Sequence, residues 1–355
     1  MMSKDHNAVD IEQLDAQTLS AMLGFAVDSV EITKVGTGQT GASYRLRLVS
    51  EQGPATLLAK VAAGDLEARA RVKGGYAAEV GFYDQLVKRV DVRTPACWYA
   101  AISDDHLHFT LLLEDLAPRV AGIQAQGCSL PRAKAAICNL AALHAPLWND
   151  PSVPQQGFLM NASHPQAAAF LGSMTVSAAA RYAERFADAL GADDVATLGQ
   201  AAARVGDWLA MPQSRITVLH GDYRLDNLMF GEAEDDVYVL DWQTAGVGPG
   251  ARDLAYFLGT CLEPAQRRQS ERELVALYHQ QLLARGVGDY TLEQCFEDYR
   301  LGHLQATMIT TIGWVNATGE QSAASDGMFL AMAKRSCAAI RDLDTLALVS
   351  TADVV

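Results

Sequence analysis

Long hydrophobic runs are missing from this chain of 355 residues. Its longest apolar stretches, such as Phe109–Leu113, fall far short of the ~20 residues that a membrane-crossing helix needs. No basic segment followed by an apolar core opens the sequence, so no secretory leader or membrane insertion is expected, and a cytoplasmic location fits. Cysteine is sparse. The six cysteines (97, 128, 138, 261, 295 and 337) are scattered, with no C-x-x-C pair and no Cys/His cluster, which argues against a zinc site and for reduced, buried thiols. Basic residues are also short: 28 Lys and Arg face 42 Asp and Glu, a net charge of −14. Nucleic acid and anionic membranes bind clustered Lys and Arg, so both are excluded as expected partners. The acidity fits either a cationic substrate or plain solubility.

What remains is an ordinary globular composition, 50% hydrophobic and 20% charged, in a chain long enough for two cores. The first half reads as mixed strand and helix. Val30–Val35 leads into Gly36-Thr-Gly38-Gln-Thr-Gly41, and Ala42–Val49 follows with Tyr44, Leu46 and Leu48 alternating against Ser43, Arg45 and Arg47. That period of two predicts a half-buried strand. A third strand, Thr56–Val61, comes after Gly53-Pro54. Asp15 predicts a cap for a short helix through Met22, and Tyr76, Val80, Tyr83, Val87 and Val90 predict one face of a longer helix. Cys97–Ile102 and His108–Glu114 predict two more strands. Leu116-Ala-Pro118 breaks the pattern, which sets the expected boundary: a first lobe over 1–116, a hinge at about 114–118, and a helical second lobe over 117–355. The fold class expected is α+β.

The chemistry concentrates in Val218-Leu-His220-Gly-Asp222-Tyr-Arg-Leu-Asp-Asn227-Leu-Met-Phe230. H-x-D-x-x-x-x-N between two apolar strands is the spacing of a kinase catalytic loop. Such a loop needs a carboxylate to take the proton of an attacking hydroxyl, here Asp222, and an amide oxygen to hold Mg²⁺, here Asn227. A second metal carboxylate should end the next strand, and Val237–Leu240 delivers Asp241. Upstream, Lys60 stands in an otherwise apolar strand, where burial is costly without partners. Phosphate oxygens and the Glu79 carboxylate would supply them, although an edge strand with a solvated tip would also accommodate the lysine. Gly36, Gly38 and Gly41 join two predicted strands, which suits a flap whose backbone N–H groups face phosphates. A dinucleotide fingerprint would instead place a helix directly after them. Backbone groups around Glu114 and Leu116 are candidates to meet a nucleotide base. His220 is expected to brace the loop, and His144 to be a structural histidine. Trp148, Trp242 and Trp314 are candidates either for an acceptor pocket or for the core, and Arg224 and Arg252 for phosphate or acceptor contacts.

Taken together, Gly36–Gly41, Glu79-Val-Gly-Phe-Tyr83, Leu113-Glu-Asp-Leu116, Leu140-Ala-Ala-Leu-His144 and His220–Asn227 give a resemblance. The chain resembles the aminoglycoside phosphotransferase and choline kinase superfamily, within it the ecdysteroid kinase-like branch and its bacterial relatives. The resemblance implies a bilobal protein-kinase-like fold, ATP or GTP as phosphate donor, Mg²⁺, and a small-molecule alcohol as acceptor. It also implies that Asp253 supports the catalytic loop. Protein kinases usually carry arginine where Gly221 stands and D-F-G where Asp241-Trp-Gln stands, and no A-P-E follows, so a small acceptor is expected rather than a peptide. The alternative is a catalytically silent nucleotide-binding protein of the same fold.

Overall fold

A computed structural model describes residues 8–36, 41–233, 235–317 and 323–349. Alternation in the first half produces a five-stranded antiparallel sheet. Its strands are β1 (Ser29–Val35), β2 (Gly41–Val49), β3 (Thr56–Ala62), β4 (Cys97–Ile102) and β5 (Phe109–Glu114), in the order β1-β2-β3-β5-β4. Leu46 and Leu48 are buried on β2 while Arg47 is exposed, as the period of two requires. Leu57, Ala59 and Val61 of β3 pack with Leu14 and with Leu19 of α1 (Ala16–Leu23), whose first turn is capped by Asp15 accepting from the Thr18 amide. Lys60 therefore points to the other face, where α2 (Leu66–Gly81) lies.

The predicted face of that helix holds only in part. Tyr76, Val80 and Tyr83 are buried, but Leu86 is buried where Val87 was expected, and Val87 and Val90 are only half-buried. The cause is a π-turn over Phe82–Leu86. Its wider ring shifts the helical phase, so periodicity counted at 3.6 residues per turn drifts off the true face.

Beyond Pro118 come β6 (Val120–Ala121), α3 (Leu130–His144), α4 (Pro165–Leu190) and α5 (Ala192–Ala210). Four short strands follow, β7 (Ile216–Leu219), β8 (Leu228–Phe230), β9 (Val237–Val239) and β10 (Gly246–Pro249). Among the described residues five α-helices then follow: α6 (Ala251–Cys261), α7 (Pro264–Ala284), α8 (Leu292–Gly302), α9 (Leu304–Asn316) and α10 (Ala323–Asp342). Every residue of α6 is buried, as a helix at the centre of a helical unit must be. β6, β8 and β9 form one small sheet, β7 and β10 another.

The chain packs as two compact units. One holds the residues up to Lys88, Thr94–Pro118 and the short return Leu240–Thr244; the other holds Arg89–Arg93, Arg119–Val239 and the chain from Ala245 onward. Among the described residues no helix is long and apolar enough to cross a membrane.

Candidate active site

In the first unit Lys60 is half-buried among carboxylates. Its Nζ donates to Glu79 Oε1 at 2.8 Å and to Asp241 Oδ1 at 3.2 Å. Glu79 is itself 1% exposed, so the edge-strand alternative does not hold: the lysine tip is partnered, not solvated. Burial works against the Lys60 charge, but the carboxylates of Asp241 and Glu79 outweigh it and hold the ammonium above the usual lysine range.

Asp241 is placed by the segment around it. Its backbone is left-handed (φ 64°), a conformation that costs a residue with a Cβ about 1–2 kcal/mol. Trp242, fully buried, stacks on Phe82 with centroids 3.5 Å apart and donates from Nε1 to Thr94 Oγ1 at 3.2 Å. Gly75 of α2 lets the backbone of Gln243 approach: a Cβ there would lie 3.2 Å from the Gln243 carbonyl oxygen. The return segment is thus pinned to the same helix that carries Glu79.

Gly36 (φ 72°) follows β1 and Gly41 opens β2, and Gly38 lies outside the described residues. β2 begins at Gly41 and pairs antiparallel with β1, so a strand and not a helix follows the glycines, and a dinucleotide fold is excluded. A Cβ on Gly41 would sit 3.5 Å from Lys60 Cε. At the end of β5 the Glu114 amide donates to the Ala96 carbonyl, the Glu114 carboxylate accepts from the Ala96 amide, and Leu116 is buried.

In the second unit β7 delivers the loop. Asp222 Oδ1 accepts from the Tyr256 hydroxyl at 2.6 Å, and Oδ2 accepts from Arg224 Nε at 3.0 Å and Asn227 Nδ2 at 3.1 Å. Asn227 Nδ2 also donates to the Asp222 carbonyl at 2.9 Å. Both acceptors of that amide nitrogen belong to Asp222, which turns the amide oxygen of Asn227 away from it. Burial, with Asp222 adjacent, keeps the Tyr256 phenol well above its ordinary range, so it is the donor of this pair.

Asp253, the third residue of α6, grips the loop from beneath. Its carboxylate accepts from the His220 amide at 2.6 Å, the Gly221 amide at 3.1 Å and Gln305 Nε2 at 3.2 Å. Burial alone would raise its pKa, yet His144 and the His220 amide outweigh that and hold Asp253 below the usual carboxylate range. His144 is fully buried, facing Tyr278 and Asp253. His220 Nδ1 accepts from the Asp222 amide, which fixes its tautomer. The two arginines separate cleanly: Arg224 is on Asp222, whereas Arg252 lies buried under the loop, donating to Gln305 and covering Trp208. Trp242 and Trp314 belong to cores, and Trp148 packs on Tyr290.

Tyr256 escaped the sequence reading, although Asp253 and Tyr256 stand three apart on a helix and so share a face. Gln305 and Gln124 also bind the loop, at separations of 84 and 101 residues, and nothing local signals them. A cavity of about 500 Å³ lies among Arg93, Lys134, Asn139 and Arg285 of the second unit, and no residue of 220–227 lines it.

A model of the ecdysteroid kinase-like family matches residues 50–285. The chain belongs to that family. Acyl-CoA dehydrogenase family member 10 of Mus musculus is 42% identical over 57 residues, 15% of this chain, and the match spans only 5% of that relative's length. Choline kinase from Cryptosporidium parvum Iowa II superposes with a TM-score of 0.58 at 9% identity, covering 90% of this chain and 91% of that one. The GDP and kanamycin complex of APH(2″)-IIIa gives 0.51 at 15% identity, covering 89% and 96%. The ecdysteroid kinase-like chain thus has the α+β fold of the aminoglycoside phosphotransferase and choline kinase superfamily of small-molecule phosphotransferases.

Proposed function

We propose that this chain transfers the γ-phosphate of ATP or GTP to a hydroxyl of a small-molecule alcohol. One observation carries the reading: Asn227 spends its amide nitrogen on both the carbonyl and the carboxylate of Asp222, leaving an oxygen donor beside the base. An ordinary polar turn has no need of that arrangement, whereas a metal-assisted phosphoryl transfer does.

The first unit then holds the nucleotide. Gly36, Gly38 and Gly41 cover the phosphates, the strand end at Glu114 and Leu116 meets the base, and Lys60, oriented by Glu79, neutralises phosphate charge. Asn227 in the second unit and Asp241 in the first each offer a hard oxygen donor of the type Mg²⁺ takes. When bound, the ion offsets the negative charge of the transferring phosphoryl group. In the second unit Asp222 orients the acceptor hydroxyl and receives its proton as the oxygen attacks the γ-phosphorus, whose bond to the nucleoside diphosphate breaks and releases that diphosphate. Arg224 and Tyr256 hold the carboxylate in one rotamer for that step, and Asp253 holds the loop.

The test is turnover of γ-labelled ATP and GTP against a panel of small alcohols including sterol-like, amino-alcohol, aminoglycoside and sugar acceptors. Transfer that disappears in Asp222→Ala while nucleotide binding persists supports the reading. Mg-nucleotide binding without transfer to any acceptor would make the chain a silent nucleotide-binding protein instead.

A further inference from the structure

The segment from Val120 to Gly127 takes no part in the chemistry above, yet it is tied into the catalytic loop by buried polar groups. β6 pairs with β8, and the Gly122 amide donates to the Leu228 carbonyl at 3.0 Å. Gln124 is fully buried. Its Oε1 accepts from the Leu225 amide at 2.9 Å, its Nε2 donates to the Thr260 carbonyl at 3.0 Å, and its own amide donates to Asp226 Oδ1 at 3.0 Å. Leu225–Asn227 is the single 3₁₀ turn that presents Asn227. The segment therefore holds the residue that opens this turn, the residue in its middle and the residue just after it.

Two further features keep the segment in place. A Cβ on Gly122 would lie 2.8 Å from the Leu225 carbonyl oxygen and 2.9 Å from Leu225 Cβ, so only glycine permits this approach. From behind, Arg335 of α10, 4% exposed, donates to the carbonyls of Gln124 at 2.8 Å, Thr260 at 3.1 Å and Ala125 at 3.0 Å. A short turn fastened on both flanks cannot rotate about its own axis, and its last side chain keeps one direction.

We propose that Gln124 is a positioning residue for Asn227: by accepting from the Leu225 amide it sets the turn that aims the Asn227 amide oxygen at the metal. The proposal rests on the reading of Asn227 as a Mg²⁺ ligand. Its test separates positioning from packing by using two variants with opposite expectations. Gln124→Met keeps the volume and removes the side chain's polar contacts to Leu225, Thr260 and Cys261. Gln124→Glu keeps an oxygen for the Leu225 amide, but loses the donor to Thr260 and places a charge in a buried site, which is the costlier change for stability.

Nucleotide affinity of the full chain is measured by calorimetry with Mg²⁺ and with EDTA, beside thermal melting of each protein. Gln124→Met should melt closer to wild type, yet lose about 10- to 100-fold of the Mg²⁺-dependent affinity, the range carried by hydrogen-bond partners behind a metal ligand. Gln124→Glu should melt lower and keep most of that dependence. Gly122→Ala, which displaces the segment without altering Gln124, should lose it as well. Mg²⁺ dependence that follows the melting order, or that survives in Gln124→Met, overturns the proposal. A wild-type protein whose nucleotide affinity ignores Mg²⁺ would overturn the metal reading itself, and the two failures are told apart by that control.

Discussion

Asp222 has three donors on its two carboxylate oxygens, from Tyr256, Arg224 and Asn227, and that crowding defines its work. A carboxylate held in one rotamer is positioned to take a proton without the entropy cost of searching for it. Asp222→Asn preserves the shape and its acceptor oxygen while removing basicity, so kcat should fall by at least about 10²-fold with nucleotide affinity little changed. Steady-state kinetics with the best acceptor of the panel check this, and an unchanged kcat sinks the assignment of the base. Asp241 gives a second, independent residue-scale expectation. Its carboxylate is 43% exposed, and its Oδ1 accepts from Lys60 at 3.2 Å. Asp241→Ala should abolish the Mg²⁺ dependence of nucleotide affinity; a normal Mg²⁺ titration of that variant would count against the metal role.

At the scale of elements, α6 matters more than its length suggests, because its first turns carry both Asp253 and Tyr256 to the loop. Asp253→Ala removes a buried acceptor from two backbone amides, Gln305 and His144 at once. Leaving such donors unpaired should cost about 3 kcal/mol or more, read as a fall in the denaturant midpoint with unchanged slope. Much of this architecture was legible in the sequence. The alternation of β2, the cap at Asp15 and the loop from His220 to Asn227 are local patterns, and each depends on neighbours a few residues away. What escaped notice depends on distance. Tyr256 meets Asp222 across 34 residues and Gln124 meets Leu225 across 101, contacts that only the packed helices create. The misplaced face after Tyr83 has a different origin, since a π-turn leaves no mark in a hydrophobic pattern counted at a fixed period. The return of Leu240–Thr244 to the first unit was likewise hidden, being five residues whose partners, among them Lys60, Gly75, Phe82 and Thr94, lie far back in the chain.

For the whole molecule the decisive quantity is how stability responds to acid. The net charge of −14 predicts relief of self-repulsion as carboxylates take up protons, which would favour the folded state. His303 acts in the opposite direction. It is fully buried between α8 and α9, with its ring against Gly259 of α6, and burial, aided by Arg267, pushes its pKa from 6.5 down to about 3. The folded protein therefore keeps this imidazole neutral, whereas the unfolded chain protonates it at about pH 6.5. A depressed histidine contributes no penalty above that pH. As the pH falls below it, the unfolded state binds the extra proton and stability drops by up to about 1.4 kcal/mol per pH unit. The held-down carboxyl of Asp253 adds to the loss only further down, once its ordinary pKa of 3.8 is approached. The window between about pH 6.5 and 5 thus isolates the histidine contribution from that carboxylate. His303→Gln, which replaces the ring with a neutral side chain that does not titrate, should flatten the dependence of stability on pH across this window. Denaturant unfolding at several pH values checks it, and equal slopes for the variant and wild type would show that His303 is not the group that makes the protein acid-sensitive.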